Sequence, residues 1–184
     1  MPTVVVEDGS VVANANAYIS VADSDAYFDD RGNVAWTEAA DDAKASALIR
    51  AADFMVQRYR SRWKGVRKSS DQTLDWPRSV VIREEVLDTA NYVLPELDQL
   101  DSYIIENNVV PEDIRRANAE LAVRALASEL SPDLTRSDDV KMEKVDVVQV
   151  HYKDRARPSP TYQAVEDALR VYFRDPSSVT IRRG

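Results

Sequence analysis

Thr37–Tyr59, TEAADDAKASALIRAADFMVQRY, is the stretch from which the fold can be read. Its residues Ala40, Ala43, Ala47, Leu48, Ala51, Met55 and Tyr59 recur at threes and fours, the spacing that lays one apolar stripe along an α-helix. Asp41 and Asp42 open the segment while Arg58 and Arg60 lie near its close, so side-chain charge complements the helix macrodipole at both ends. Thr37 is the expected N-cap. One long helix with one apolar face needs partners to bury that face, which points to a mainly α domain.

The helix runs straight into the densest feature of the chain. Arg58–Lys68, RYRSRWKGVRK, holds six basic residues and no acid, in a chain of formal net charge −8. With six of the 24 basic residues gathered here, the remaining 18 face 32 acidic ones. Charge segregated in this way, with Tyr59 and Trp63 interleaved, marks a contact surface for an anion or for an acidic protein face. A plainer reading stands beside it. Arg and Lys stems lie along apolar surfaces, and Trp63 and Trp76 of the following LDWPR motif (Leu74–Arg78) would then pin the crossing after the helix. Residues 66–80 are expected to be irregular, punctuated by Gly65, Ser69, Ser70 and Pro77.

On the N-terminal side, Val4–Val6, the turn pair Asp8-Gly9 and Val11-Val12 read as a small strand or hairpin. Ser20, with Asp23 three residues on, caps a short helix Val21–Arg31 that Gly32 closes. On the C-terminal side, a short helix near Arg83–Tyr92 and a helix or loop over Leu97–Ile105 are expected, broken by Pro95. Pro111, Glu112 and Asp113 then open a helix whose apolar face, Ile114, Ala117, Leu121, Ala122, Ala125, Leu126 and Leu130, ends before Pro132. Val140–Tyr152 alternates like a β-strand with a one-residue slip, the pattern of a bulge. Thr161 caps a last helix to about Arg174, with Val165, Ala168, Leu169, Tyr172 and Phe173 inward, and Ser178–Arg183 is a strand-like tail. The expected fold is a small helical bundle with a β-like arm or hairpin and a short C-terminal strand. It forms one domain, with residues 1–130 as core and N-terminal arm and 131–184 as arm, last helix and tail.

Little in the composition offers catalysis. The chain of 184 residues has no Cys and a single His, His151, so thiolate and multi-histidine metal sites lack ligands. Four glycines, none clustered, exclude a P-loop or Rossmann turn. The pairs Asp29-Asp30, Asp41-Asp42 and Asp138-Asp139 are neighbours in sequence, which on a helix do not face one another. No catalytic residue, metal or cofactor is expected. No window approaches a membrane span, and the N-terminus lacks the pattern of a signal peptide. A soluble protein of the cytosol, or of a particle assembled there, is the expectation.

Four stretches in order, Glu7–Asn33 (EDGSVVANANAYISVADSDAYFDDRGN), Ala47–Arg67 (ALIRAADFMVQRYRSRWKGVR), LDWPR and Val110–Leu126 (VPEDIRRANAELAVRAL), resemble a family of small proteins of tailed bacteriophages and prophages. The family carries the label DnaT-like single-stranded-DNA-binding protein and stands among the head-tail connector adaptors of long-tailed phages. The resemblance spans roughly Val6–Leu130, and Arg83–Asn108 is longer than the family's usual segment.

The resemblance implies a structural virion protein of the neck, between capsid and tail. It would form a homo-oligomeric ring, twelvefold, beneath the portal protein. That ring would extend the DNA channel and offer a docking surface to a tail, stopper or tail-terminator protein. Contacts with portal or neighbour would then fall on Arg58, Arg60, Arg62, Trp63, Lys64, Arg67, Trp76 and Arg78, and on Val179, Ile181, Arg182 and Arg183 of the tail. Passing genomic DNA would touch the ring only weakly, past a lumen lined by acids. The label implies an alternative, single-stranded DNA held by Arg58, Arg60, Arg62, Lys64, Arg67 and Lys68, with Tyr59 or Trp63 stacking on bases.

Overall fold

The long helix forms over Asp41–Tyr59 (α3) and buries Ala47, Leu48, Ala51, Ala52, Met55 and Tyr59, while Ala40 and Ala43 of the expected stripe are exposed. A computed structural model gives the fold; it describes residues 2–82, 104–132, 142–145, 148–151 and 161–174. Helix α3 packs chiefly on a second long helix, Glu112–Ala127 (α4), which presents Ile114, Ala117, Leu121, Ala122 and Ala125. Alanines on both faces let the two backbones approach closely, because interaxial distance follows the size of the contacting side chains. Asn118, fully buried in this seam, ties three elements together. Its Nδ2 donates to the Leu48 carbonyl of α3 at 3.0 Å, and its Oδ1 accepts from the Tyr18 amide of the N-terminal arm at 2.8 Å.

Helix α1, Val21–Asp29, begins as expected: the Ser20 hydroxyl accepts from the Asp23 amide and donates to the Asp23 carboxylate. It ends in a Schellman pair at Gly32, with the Asn33 amide on the Phe28 carbonyl and the Gly32 amide on that of Asp29. Thr37 does not cap the long helix. Asn33 caps an additional short helix, Val34–Thr37 (α2), which seats Trp36 in the core, and α3 starts after Ala40 without a side-chain cap. Trp36 Nε1 and Lys44 Nζ both donate to Asp25 Oδ1, at 2.7 and 2.9 Å, and so lock α1, α2 and α3 together.

The N-terminal arm is not a hairpin. It makes one isolated parallel bridge, Val6 with Ala17, and is shaped by Glu7, whose buried carboxylate accepts from the amides of Gly9, Val11 and Val12. Gly9 is required there because a Cβ would stand 1.9 Å from the Asn108 carbonyl oxygen.

Residues 66–80 are less irregular than expected. Val66–Arg67 (β1) pairs antiparallel with Arg78–Ser79 (β2), and Val81–Ile82 (β3) with Ile104–Ile105 (β4), the latter falling where a helix or loop was expected. The remainder of Arg83–Tyr103 lies outside the described residues, as does the expected helix Arg83–Tyr92.

The β-like segment is two strands and not one bulged strand. Met142–Val145 (β5) and Val148–His151 (β6) pair antiparallel in the register Met142 with His151 through Val145 with Val148. The slip in alternation falls where one strand gives way to the next. Helix α5 spans Gln163–Leu169 and continues as a 3-10 turn, Arg170–Tyr172. Tyr162, and not Thr161, holds the N-cap position; Val165, Leu169 and Phe173 are buried, while Ala168 is exposed. The tail Ser178–Arg183 lies outside the described residues. The mainly α domain with a β arm is thus the observed architecture.

Candidate contact surface around Gly65

The basic segment follows the C-terminus of α3, where the last carbonyls of a helix lack partners within it. Here the segment turns back on the core through its aromatic residues. Tyr59, Trp63 and Trp76 are all fully buried and stack edge-on in series, Tyr59 on Trp63 at 5.8 Å and Trp63 on Trp76 at 5.9 Å. Phe173 closes the cluster against both Tyr59 and Trp63, and an isolated antiparallel bridge joins Trp63 to Phe173. The aromatic side chains that could have stacked on a base therefore form the seam that holds the C-terminal segment to α3. Desolvation in this seam, reinforced by the nearby Glu166 carboxylate, pushes the Tyr59 hydroxyl pKa up to about 12.

The LDWPR motif supplies the polar half of the same knot. Asp75 is buried, accepting from Arg60 Nε at 2.8 Å and from Trp63 Nε1 at 3.3 Å. The amides of Asp75 and Trp76 both donate to the Tyr18 hydroxyl, and the Trp76–Pro77 bond is cis. Burial and the Asp75 charge raise the Tyr18 pKa. Arg78 is only 4% exposed and spends its guanidinium on three carbonyls: Nε on Lys64 at 2.7 Å, Nη2 on Gly65 at 2.9 Å and Nη1 on Asp75 at 3.1 Å. Burial lowers the Arg78 pKa, and the Asp75 carboxylate works against that shift. Gly65 sits at the centre with φ 64°, and a Cβ there would stand 2.2 Å from the Ser79 carbonyl oxygen.

The remaining cations divide into two sets. Arg58 and Arg62 share Glu166 of α5, at 3.8 and 3.1 Å, and Arg62 also lies over the Phe173 ring. Lys64 donates to the Val171 carbonyl, Arg67 to that of Gln72, Lys68 to that of Gly9, and Arg174 to those of Trp63 and Gly65. Among the described residues this second set has no carboxylate partner, so its charge is anchored there by neutral carbonyls. Of the expected contact residues, the structure thus brings Arg58 through Lys68, Trp76 and Arg78 into one knot. It holds Tyr59, Trp63, Trp76 and Arg78 inside and leaves Lys64, Arg67 and Lys68 at least partly exposed. Val179, Ile181, Arg182 and Arg183 lie outside the described residues.

Residues that sequence reasoning missed are Tyr18, Asp75, Asn118, Glu166 and Arg174, polar partners of the knot or the seam, and Glu7, which shapes the N-terminal arm. Elsewhere, a groove of about 400 Å³ runs between α3 and the end of α4, lined by Arg50, Asp53, Phe54 and Leu130 among others. Burial raises the Asp53 pKa there. Among the described residues no cluster of His, Asp or Glu could hold a metal ion, and no helix is long and apolar enough to cross a membrane.

No curated protein and no solved structure matches the chain. A family model described as "Putative DnaT-like ssDNA binding protein" matches residues 2–184. That match covers the core, the basic knot, the β5–β6 arm and the tail alike, and the chain belongs to this DnaT-like family.

Proposed function

We propose that the protein is a head-tail connector adaptor: a non-enzymatic virion component that assembles as a ring beneath the portal, twelvefold by the family resemblance, and carries the DNA channel toward the tail. The observation that carries the reading is the fate of the basic segment. Its aromatics are buried in the seam with Phe173, and its arginines hold Asp75, Glu166 and backbone carbonyls of the same chain. Such a segment organises a rigid subunit. It leaves a single strand no aromatic platform of the kind on which base stacking is worth about 1 to 3 kcal/mol per base.

Two further features favour assembly. Charge is polarised along α3, acids at its start and cations past its end, and unlike surfaces are what a head-to-tail ring requires. The β5–β6 arm is a two-stranded sheet, whose edges suit strand addition from a neighbour or the portal.

The adaptor reading is tested by imaging or mass measurement of the full chain with its portal. A closed ring is expected; particles whose neck lacks the chain would refute it. The same images test the lumen, where acids are expected and a basic wall would overturn that part.

Single-stranded DNA binding is the second reading, favoured by the family's description and by the cations Lys64, Arg67, Lys68 and Arg174, which have no carboxylate partner among the described residues. It requires steeply salt-dependent binding of an oligonucleotide. Unchanged affinity after neutralising Lys64, Arg67 and Lys68 would remove it.

A further inference from the structure

Two exposed apolar faces of opposite electrostatic setting stand beyond the two ends of α3, a helix about 28 Å long at 1.5 Å per residue. Past the C-terminal end, Val66, Val80 and Val171 are 59%, 65% and 38% exposed. All three adjoin Gly65. Val66 follows it in the chain and pairs with Ser79, Val80 is next to Ser79, and Val171 gives its carbonyl to Lys64 Nζ. Val80 holds φ 58°, a left-handed conformation that is an outlier for a β-branched residue, yet its side chain is turned out and not packed in the core. Lys64, Arg67 and Lys68 flank Val66 in the chain and Arg174 follows Val171, and among the described residues none of the four has a carboxylate partner.

Before the N-terminal end, Val34 on α2 is 59% exposed. Around it in the chain lie five exposed acids, Asp29, Asp30, Glu38, Asp41 and Asp42, none with an ion-pair partner among the described residues, against one exposed cation, Arg31, whose guanidinium lies over the Tyr27 ring.

We propose that these are the two halves of one heterologous interface: the Val66–Val80–Val171 face of one copy docks on the Val34 face of the next. Either face against itself would set like charges together, acids on acids or cations on cations, and only head-to-tail pairing joins opposite rims around apolar centres. Strain at Val80 fits a side chain held out for a partner. The proposal deepens the ring reading by naming the surfaces, and it rests on that reading only for closure of the ring.

The chain has no cysteine, so introduced thiols are unique. Val34→Cys and Val80→Cys chains, mixed at high concentration under mild oxidation, are expected to give the mixed disulfide dimer in at least tenfold excess over either self-dimer. The double variant should give a ladder of multimers. Ala168→Cys, exposed on α5, is the control partner and should form no excess with Val34→Cys. Adding Asp41→Lys and Asp42→Lys to the Val34→Cys chain should abolish the mixed product. Adding Lys64→Glu and Arg67→Glu to its Val80→Cys partner should restore it, an outcome that misfolding of either variant cannot mimic. Self-dimers equal to or above the mixed product, or no product above the control, would overturn the interface. A ring on the portal whose Val34→Cys and Val80→Cys thiols fail to link would sink the interface and keep the adaptor; a ladder from a chain missing from the particle neck would do the reverse.

Discussion

Removing the Arg78 guanidinium measures directly whether the basic knot organises the subunit. Arg78→Met keeps the length of the buried stem and deletes three donors, leaving the carbonyls of Lys64 and Asp75 without that partner, while Gly65 retains a longer bond from Arg174 at 3.4 Å. Each carbonyl left unpaired in the interior costs about 1–3 kcal/mol, so two of them give a loss of about 2–6 kcal/mol. Relief of the buried charge's desolvation, visible in the lowered pKa, offsets part of this and favours the lower half of that range. For a domain of this size about 1 kcal/mol moves the melting temperature by about 2–4 °C, so a fall of about 6–12 °C is expected for a loss near 3 kcal/mol. Urea unfolding followed by tryptophan fluorescence suits the measurement, since Trp63 and Trp76 are both fully buried beside the affected carbonyls. Arg78→Lys keeps the charge but offers one compact ammonium in place of a planar fork, and should recover less than half of the loss. If Arg78→Lys were as stable as the natural protein, charge and not the three-way fork would be what matters. If Arg78→Met cost under about 1 kcal/mol, below the penalty for even one orphaned carbonyl, the knot would not be the organising element.

Other sites give sharper tests of single interactions. Asn118→Ala removes both hydrogen bonds of the α3–α4–arm tie, orphans the Tyr18 amide and opens a cavity, and should cost about 2–4 kcal/mol in chemical denaturation. Tyr59→Phe should be neutral or stabilising at pH 7, because the buried hydroxyl has no hydrogen-bond partner. The same change should remove an alkaline loss: with the folded pKa near 12 against an ordinary value of 10.0, stability is whole below pH 10 and falls as pH rises toward 12, by up to about 2.7 kcal/mol at about 1.36 kcal/mol per pH unit. Asp53→Asn should stabilise at neutral pH. The raised folded pKa means the ionised form is penalised, so the gain appears as pH rises above 3.8 and vanishes below it, in thermal unfolding across pH 3–7.

What could be read from the sequence follows the physics that leaves a periodic trace. Helices α3 and α4 were legible because a buried stripe must recur at threes and fours, and Ser20 and Gly32 because caps use few residue types. The additional helix α2 was hidden by a competing cap: both Asn33 and Thr37 can open a helix, and only the packing of Trp36 and its bond to Asp25 decide that Asn33 does. Glu7 shows the opposite limit. A carboxylate that gathers three loop amides has no period and no motif, and its neighbour Val11, at positive φ, is a β-branched residue that does not announce a turn of that kind. The β5–β6 hairpin was half legible. Alternation located the strands, but one strand with a bulge and two strands across residues 146–147 leave nearly the same slip in the pattern.

The basic segment carries the more general lesson about reading charge. Six cations without an acid look like a surface waiting for an anion, yet the partners were present in the chain at distances the sequence does not display: Glu166 is 104 residues from Arg62, and the Val171 carbonyl is 107 from Lys64. An irregular segment leaving a helix C-terminus around buried indoles exposes carbonyls that no strand or helix can satisfy, and Arg and Lys, which donate and never accept, answer that need without adding further acceptors. Arginine density in RWKGVR and LDWPR is therefore a solution to packing a loop. The positive field is its consequence. Because most of those donors meet neutral carbonyls and not carboxylates among the described residues, the charge survives the folding of the knot, and a fixed positive field beside exposed valines is what the proposed docking of a second copy with an acidic rim would use.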